Sequence, residues 1–343
     1  MPLRIAVIGV GHWHALKDAA YLTHLPAIPD IELTALHDPE AGRAARVAAA
    51  LDPALGSPGL FTDYRAMLAA TTPDFVLALG RHDSMAEIAH YLLDENYPFL
   101  MEKPMGVTAA ETRGIAEKAD ATGGFAAVPL FQRYQPFVTT ARAMIAEGRF
   151  GPLSHMSLRN IRPTSDRYVQ WGAPWMLDPA AAGGGCLRNV GLHGLDMFCH
   201  ILGEDAEVIG AQTSRRALGQ PVEDYAIVQL RSAGGVLGTV EVGNTFPYGG
   251  PPKPEAGYQR ADGEFRLSGR DALLTANDGN LRTVTADTQE TMSASPAEPP
   301  AFAMLRDTLD RWRRGGTPVT DVWDCWRAMA LADRAYEMAE RTD

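Results

Sequence analysis

Cysteine is scarce. The 343-residue chain has three, Cys186, Cys199 and Cys325, too few and too scattered for a disulfide framework or a cysteine-based zinc site. They suit a reducing compartment. Nowhere do about eighteen apolar residues run unbroken, so no membrane span is expected. Positive charge is also short: Lys and Arg number 31 against 42 acids, a net charge of -11. That excess repels nucleic acid and anionic membrane, and no basic run offsets it, so neither is expected as a partner. The opening "MPLRIAVIGVG" has no charged leader and cleavage site, and the expectation is a cytoplasmic protein. What the chain does have is apolar residues, 46% of the total, enough for a real core and against disorder. The length suggests two domains.

The first third alternates short apolar runs with helical stretches. "LRIAVIGV", "IELTALHD", "DFVLALG" and "PFLMEKP" read as strands buried on both faces. Helices are expected from about His12 to Leu25, from Pro39, from Met85, and from Thr108, where Glu111 three residues on completes a capping box. "GFAAVPLFQRY" closes the series. This alternation predicts an α/β protein with an N-terminal doubly wound parallel sheet. After about residue 150 strand-like segments follow one another, with "SAGG" as a hairpin turn. They predict a second α/β domain with an open, largely antiparallel sheet. "FPYGGPPKPEAGY" reads as a Pro/Gly-rich loop and a candidate lid. The division falls at 1–125 and 126–343, with the terminal helix expected to pack back on the first domain.

Gly9-Val10-Gly11 sits where the first strand ends. The first glycine allows a tight turn, the second lets a pyrophosphate approach the backbone, and a helix N-terminus would then favour its charge. His12 and Trp13 open that expected helix and count with the cofactor contacts. Asp38 ends the second strand, where a carboxylate reads a ribose 2′-hydroxyl and repels a 2′-phosphate. NAD is therefore expected over NADP, although Arg43 one turn away keeps NADP open. His14 stands at the third glycine position, and is read as a partly exposed helix histidine.

The stretch "GGGCLRNVGLHGLD" leads into a segment apolar almost all round. Asn189, His193, Asp196 and His200 form one polar stripe at helical spacing, the reverse of a surface helix. Such a stripe serves a metal, a proton transfer or buried partners. Arg188 is an exposed or cofactor-facing charge.

"MEKPMG", with Glu102-Lys103-Pro104 after a buried strand, followed about 80 residues later by "GGG…NVGLH…D", resembles the Gfo/Idh/MocA oxidoreductase family. That family includes glucose–fructose oxidoreductase and inositol dehydrogenases. "TDYRAMLA", "FQRYQPFV" and "GRFGPL" extend the similarity over nearly the whole chain. The resemblance implies an NAD(P)-binding Rossmann domain and a second domain for substrate binding and oligomerisation, in a homodimer or homotetramer. It implies hydride transfer with a carbinol of a sugar, polyol or sugar-acid-like substrate. Lys103 would hold the substrate hydroxyl near the nicotinamide and His193 would move its proton. Many relatives carry aspartate where this chain has Asn189, which either orients the imidazole or binds a substrate hydroxyl. A Pro-Asn-x-x-His segment of many relatives is replaced here by Arg81-His82-Asp83-Ser84-Met85. Arg81, counted with Glu102 and Lys103 on the cofactor side, binds an acidic group or is a solvated loop residue.

Hydride transfer to nicotinamide needs no metal, and His193, Asp196 and His200 spread over two turns, so none is expected. Arg133, Tyr168 and Trp175 are the expected substrate contacts, alongside Lys103, Asn189 and His193. Two other classes share the fold: a glycoside hydrolase acting through transient oxidation with bound NAD, and a non-catalytic dinucleotide or sugar sensor.

Overall fold

The computed structural model describes residues 2–247, 261–277 and 279–340. The first sheet is built from β1 (Leu3–Ile8), β2 (Ile31–His37), β3 (Gly59–Phe61), β4 (Phe75–Ala78), β5 (Phe99–Met101) and β6 (Ala126–Ala127), in the order β3-β2-β1-β4-β5-β6. Every pairing is parallel. Burial on both faces explains the unbroken apolar runs: Ile5, Val7 and Phe75 lie under one layer, and Ala6, Ile8 and Val76 under the other. The layers come from α1 (Tyr21–His24), α2 (Arg43–Ala48), α3 (Tyr64–Thr71), α4 (His82–Asp94) and α5 (Ala109–Thr122). Thr108 and Glu111 do form the capping box at the start of α5. β6 belongs to this sheet and lies beyond residue 125. Strand order reverses between β1 and β4, which opens a crevice at their carboxyl ends.

After α6 (Pro136–Ala146) comes β7 (Leu153–Pro163) and a run of short helices, α7 (Asp166–Gln170) and α8 (Pro179–Ala182). Then follow α9 (Leu192–Leu202), β8 (Ala206–Ser214), β9 (Tyr225–Ser232), β10 (Leu237–Phe246), β11 (Asp262–Gly269), β12 (Ala272–Asn277), β13 (Asn280–Thr285) and β14 (Gln289–Ser293). The second sheet runs β14-β13-β12-β11-β7-β10-β9-β8. It is antiparallel except where β7 meets β10. α10 (Pro300–Arg313) returns to the first domain, with Met304, Leu305 and Leu309 in its core, and α11 (Val322–Glu340) packs on α5, α9 and β8. No helix among the described residues is long and apolar enough to cross a membrane. Of the candidate lid, 246–258, residues 248–258 lie outside the described residues.

Two expectations need correction here. The helix expected from His12 to Leu25 is a three-residue 3₁₀ turn, Trp13–Ala15, then the single turn α1 and a second 3₁₀ turn, Leu25–Ala27. His14 and Tyr21 explain it. Both reach the same Glu102 Oε1, at 2.8 and 2.7 Å, whereas in a helix they would stand two turns, about 10 Å, apart. The glycine turn is thus not followed by the helix N-terminus that would favour a phosphate. The second correction is the helix after the three glycines, which begins with a π turn, Leu187–Gly191, before α9. Such turns recur at functional sites.

Candidate active site

At the crevice, Gly9 has φ +73° and a Cβ there would lie 2.8 Å from the Gly80 Cα. Only glycine allows the ends of β1 and β4 to approach this closely. The Gly11 N–H donates to Asp38 Oδ2 at 2.7 Å, and Asp38 Oδ1 accepts from Glu40 N at 3.0 Å. Arg43 lies 3.8 Å from Asp38 and, with Arg46, pairs to Glu40. A cavity of about 330 Å³ opens over Gly11, His12 and Trp13, with Lys17, Arg43 and Arg46 on its wall.

His14 is buried, not the partly exposed helix residue expected. Its Nδ1 meets Glu102 and its Nε2 lies 3.5 Å from Asp18. Burial alone would lower its pKa, but the two carboxylates raise it to about 8. Burial likewise works against Glu102, yet His14 holds it at about 2. The pair is therefore ionised, and its stabilisation has a defined pH window. The His14 part is complete below about 6.5, its ordinary pKa, and is lost as pH rises through about 8. The Glu102 part is present above about 4.5 and is lost as pH falls toward about 2. Unfolding free energy is expected to fall by about 2 kcal/mol between pH 6.5 and 9 through this pair. Urea unfolding across that range checks it: His14→Gln should flatten the slope, and an unchanged slope would refute the assignment.

Lys103 follows Glu102 at the end of β5, and its peptide to Pro104 is cis. The side chain is buried, and Nζ donates to Asn189 O at 2.9 Å and to Asn189 Oδ1. Burial lowers its pKa. Asn189 Nδ2 donates to Tyr168 Oη at 2.6 Å, which also accepts from Arg167 at 2.8 Å. The Asn189 amide thus orients Lys103 rather than His193. A carboxylate in its place would pair with the ammonium and raise its pKa; the amide holds the lysine without doing so.

His193 stands on α9, whose seat on β10 depends on Gly194: a Cβ there would lie 2.7 Å from Val240. The imidazole packs 5.1 Å from the Phe131 ring, and its buried Nδ1 has no hydrogen-bond partner among the described residues. Burial first, then the Lys103 charge, push its pKa well below the ordinary value, so it is neutral. Lys103, Asn189, His193, Tyr168 and Trp13 all line one pocket, with His14, Asp18, Arg162 and Arg167. The structure therefore brings together five of the residues singled out from sequence. Asp18 and Arg162 were missed; the i,i+4 spacing of His14 and Asp18 was the one available hint.

Other expected residues lie elsewhere. Trp175 packs edge-on 4.9 Å from His82 and 6.2 Å from His12, whose ring stacks on Trp13 at 3.9 Å. His82 is buried, begins α4 and donates through Nδ1 to Ala182 O at 2.9 Å, while Arg81 pairs with Asp83 on the surface. Arg133 does not face the pocket. It binds Asp196 through Nε at 3.0 Å and through Nη2, and Asp324 of α11 at 3.2 Å. The physical reason is burial: Asp196, deep on α9, needs a cation, and among the described residues Arg133 is the one that pairs with it. The polar stripe consequently divides. Asn189 and His193 open into the pocket, whereas Asp196 and His200 line a separate cavity with Arg133, Arg142 and Arg327. Arg188 is also buried, bound to Asp333 and to Gly183 O. No group of three His, Cys, Asp or Glu side chains among the described residues is arranged to hold a metal.

Comparison with known proteins adds to this geometry. A family model described as an oxidoreductase family with an NAD-binding Rossmann fold matches residues 3–129, and a GFO/IDH/MocA C-terminal domain model matches residues 138–275. D-glucoside 3-dehydrogenase of Escherichia coli is 26% identical over 252 residues, 71% of this chain and 68% of that protein. The scyllo-inositol 2-dehydrogenase (NAD(+)) of Bacillus subtilis is 26% identical over 260 residues, 72% of this chain and 69% of that protein. An oxidoreductase from Agrobacterium radiobacter, solved with NAD+, L-tartaric acid and magnesium, has a TM-score of 0.84 at 20% identity, covering 100% of this chain and 98% of that one. Levoglucosan dehydrogenase with NADH and levoglucosan gives 0.81 at 19% identity, covering 100% and 98%.

Proposed function

The chain belongs to the GFO/IDH/MocA oxidoreductase family, and on that footing we propose that it transfers hydride between NAD and a carbinol carbon of a sugar, polyol or sugar acid. The observation that carries this reading is the buried Lys103 ammonium, fixed by Asn189 in the same pocket as a neutral His193. The dehydrogenase activities of the glucoside and inositol relatives support it.

The crevice fits a dinucleotide. The Gly9 turn packs directly against Gly80 at the carboxyl ends of β1 and β4, and the buried His82 Nε2, Glu102 Oε2 and His193 Nδ1 have no hydrogen-bond partner among the described residues. Gly9, Gly11, His12, Trp13 and Asp38 would hold it from one side, and Arg81, Glu102 and Lys103 from the other. The nicotinamide ring would supply the hydride acceptor, so oxidation of the carbinol leaves one hydroxyl proton for the chain to take. His193, neutral and unpartnered at Nδ1, accepts that proton. Lys103 donates to the substrate oxygen and stabilises the negative charge that develops as the proton leaves. Tyr168 keeps Asn189, and through it Lys103, in place.

NAD is favoured over NADP because Asp38 and Glu40 place two carboxylates at the end of β2, and both Arg43 and Arg46 are already paired to Glu40. NAD is expected to bind at least about tenfold more tightly than NADP, and Asp38→Ala to narrow the gap. Equal affinities in the unaltered protein would remove the argument. A homodimer or homotetramer of the cytoplasm is the accompanying reading. Its support is the outer face of β8, β9 and β10, which exposes Ile209, Ile227 and Leu237. A screen of aldoses, inositols and sugar acids for NADH absorbance tests the activity; no NADH from any of them would sink it.

A further inference from the structure

We propose that the substrate of this pocket carries a carboxylate, bound at Arg162 and drawn in by the buried charges of Arg167 and Lys103. The inference rests on the dehydrogenase reading and narrows its substrate to an acid.

The starting point is a charge imbalance. Arg167 is buried and its guanidinium is satisfied entirely by neutral acceptors: Pro163 O, Thr164 O at 3.2 Å, Tyr168 Oη at 2.8 Å and Asn244 Oδ1 at 2.9 Å. Lys103 is buried and held only by the oxygens of Asn189. Neither has a carboxylate within ion-pair distance among the described residues. Buried cations are ordinarily paired, because removing a charge from water is expensive. Here two line one pocket with neutral partners only.

Arg162, at the end of β7, adds a third cation to the same wall. Its side chain is one-third exposed, and its only hydrogen bonds among the described residues run from Nη2 to the two Asp18 oxygens, each at a long 3.4 Å. Nε and Nη1 have no partner among the described residues, and because the Nη2 contacts are long, Nη2 can join Nη1 as a planar fork that matches a carboxylate. Two carboxylates face this region. Asp18 is shared between Arg162 and His14, and Glu102 is taken by His14 and Tyr21. His14 and Glu102 cancel as an ionised pair, so a single acid, Asp18, opposes Lys103, Arg162 and Arg167. The pocket is net cationic in a chain that is net anionic, at -11. A neutral polyol leaves that excess in place when it displaces water. An acid removes it, and gains charge-assisted hydrogen bonds in doing so.

The test uses the full chain with saturating NAD and a matched panel: D-gluconate and D-galacturonate, the neutral D-glucose, D-galactose and D-sorbitol, and D-glucose 6-phosphate. Quenching of tryptophan fluorescence reads binding, since Trp13 and Trp171 line the pocket, and NADH absorbance reads turnover. The acids are expected to bind at least about tenfold more tightly than their neutral counterparts. Arg162→Gln should abolish most of that preference, raising KM for the acid about tenfold or more with kcat changed far less. Arg162→Lys, which keeps the charge without the planar edge, should recover part of it. Neutral compounds bound as well as the acids, stronger binding of the phosphate ester than of either acid, or an unaltered preference in Arg162→Gln would each overturn the proposal. An acid that binds without producing NADH upholds the carboxylate subsite and counts against hydride transfer. A neutral polyol oxidised in preference to every acid does the reverse.

Discussion

Lys103→Ala is expected to reduce kcat/KM by about a thousandfold or more, while the dissociation constant for NAD changes only a few-fold. The magnitude follows from where Nζ sits. Two oxygens of Asn189 fix it in the pocket it shares with His193, and Tyr168 fixes Asn189 in turn. The group therefore loses little freedom when it meets a substrate oxygen, and its burial in a low-dielectric pocket strengthens every charge interaction it makes. Both alanine and methionine remove the donor to the Asn189 oxygens, but alanine also empties the side chain's volume, so Lys103→Met serves as the companion variant. Retained NAD affinity reports that the crevice has folded. Normal turnover by either variant would end the assignment. Asn189→Asp separates the lysine's position from its charge. It keeps an oxygen on Nζ but adds a carboxylate, which raises the Lys103 pKa and should move the pH–rate profile upward rather than abolish activity.

The apolar runs of β1, β2, β4 and β5 were legible because a buried parallel strand has no solvated face, and the turn at Gly9 because nothing else fits against Gly80. Lys103, Asn189 and His193 were legible as an ordered set of motifs and Tyr168 from the polar and aromatic composition of its loop, and the structure brings them to one pocket. What could not be read was pairing at long range. His14 meets Glu102 across 88 residues, Arg162 meets Asp18 across 144, and Arg133 meets Asp324 across 191. No periodicity signals such contacts, and the first of them also undid the expected helix at His12, a tertiary contact overriding a local pattern. β14 escaped notice for a different reason. All five of its residues are exposed at the sheet edge, so it shows no alternation of apolar and polar positions.

Arg133 is where sequence and structure diverge most, and it yields the largest expected change in stability. From sequence it was a substrate contact; in the structure it joins the 3₁₀ turn after β6 to Asp196 on α9 and Asp324 on α11. Asp196 is buried, and burial raises its pKa against the pull of Arg133. Arg133→Met removes the one cation paired directly with it among the described residues. Removing one member of a buried pair destabilises by about 3–5 kcal/mol, which urea unfolding at neutral pH would read as a lower midpoint. Because the pair is shielded from solvent, the loss should persist at high salt, where exposed pairs are screened. Arg133→Met combined with Asp196→Asn should recover part of the loss, since the amide no longer places a bare charge in the interior. The folded fraction of the single variant should keep its KM. A raised KM with an unchanged unfolding midpoint would instead return Arg133 to the substrate.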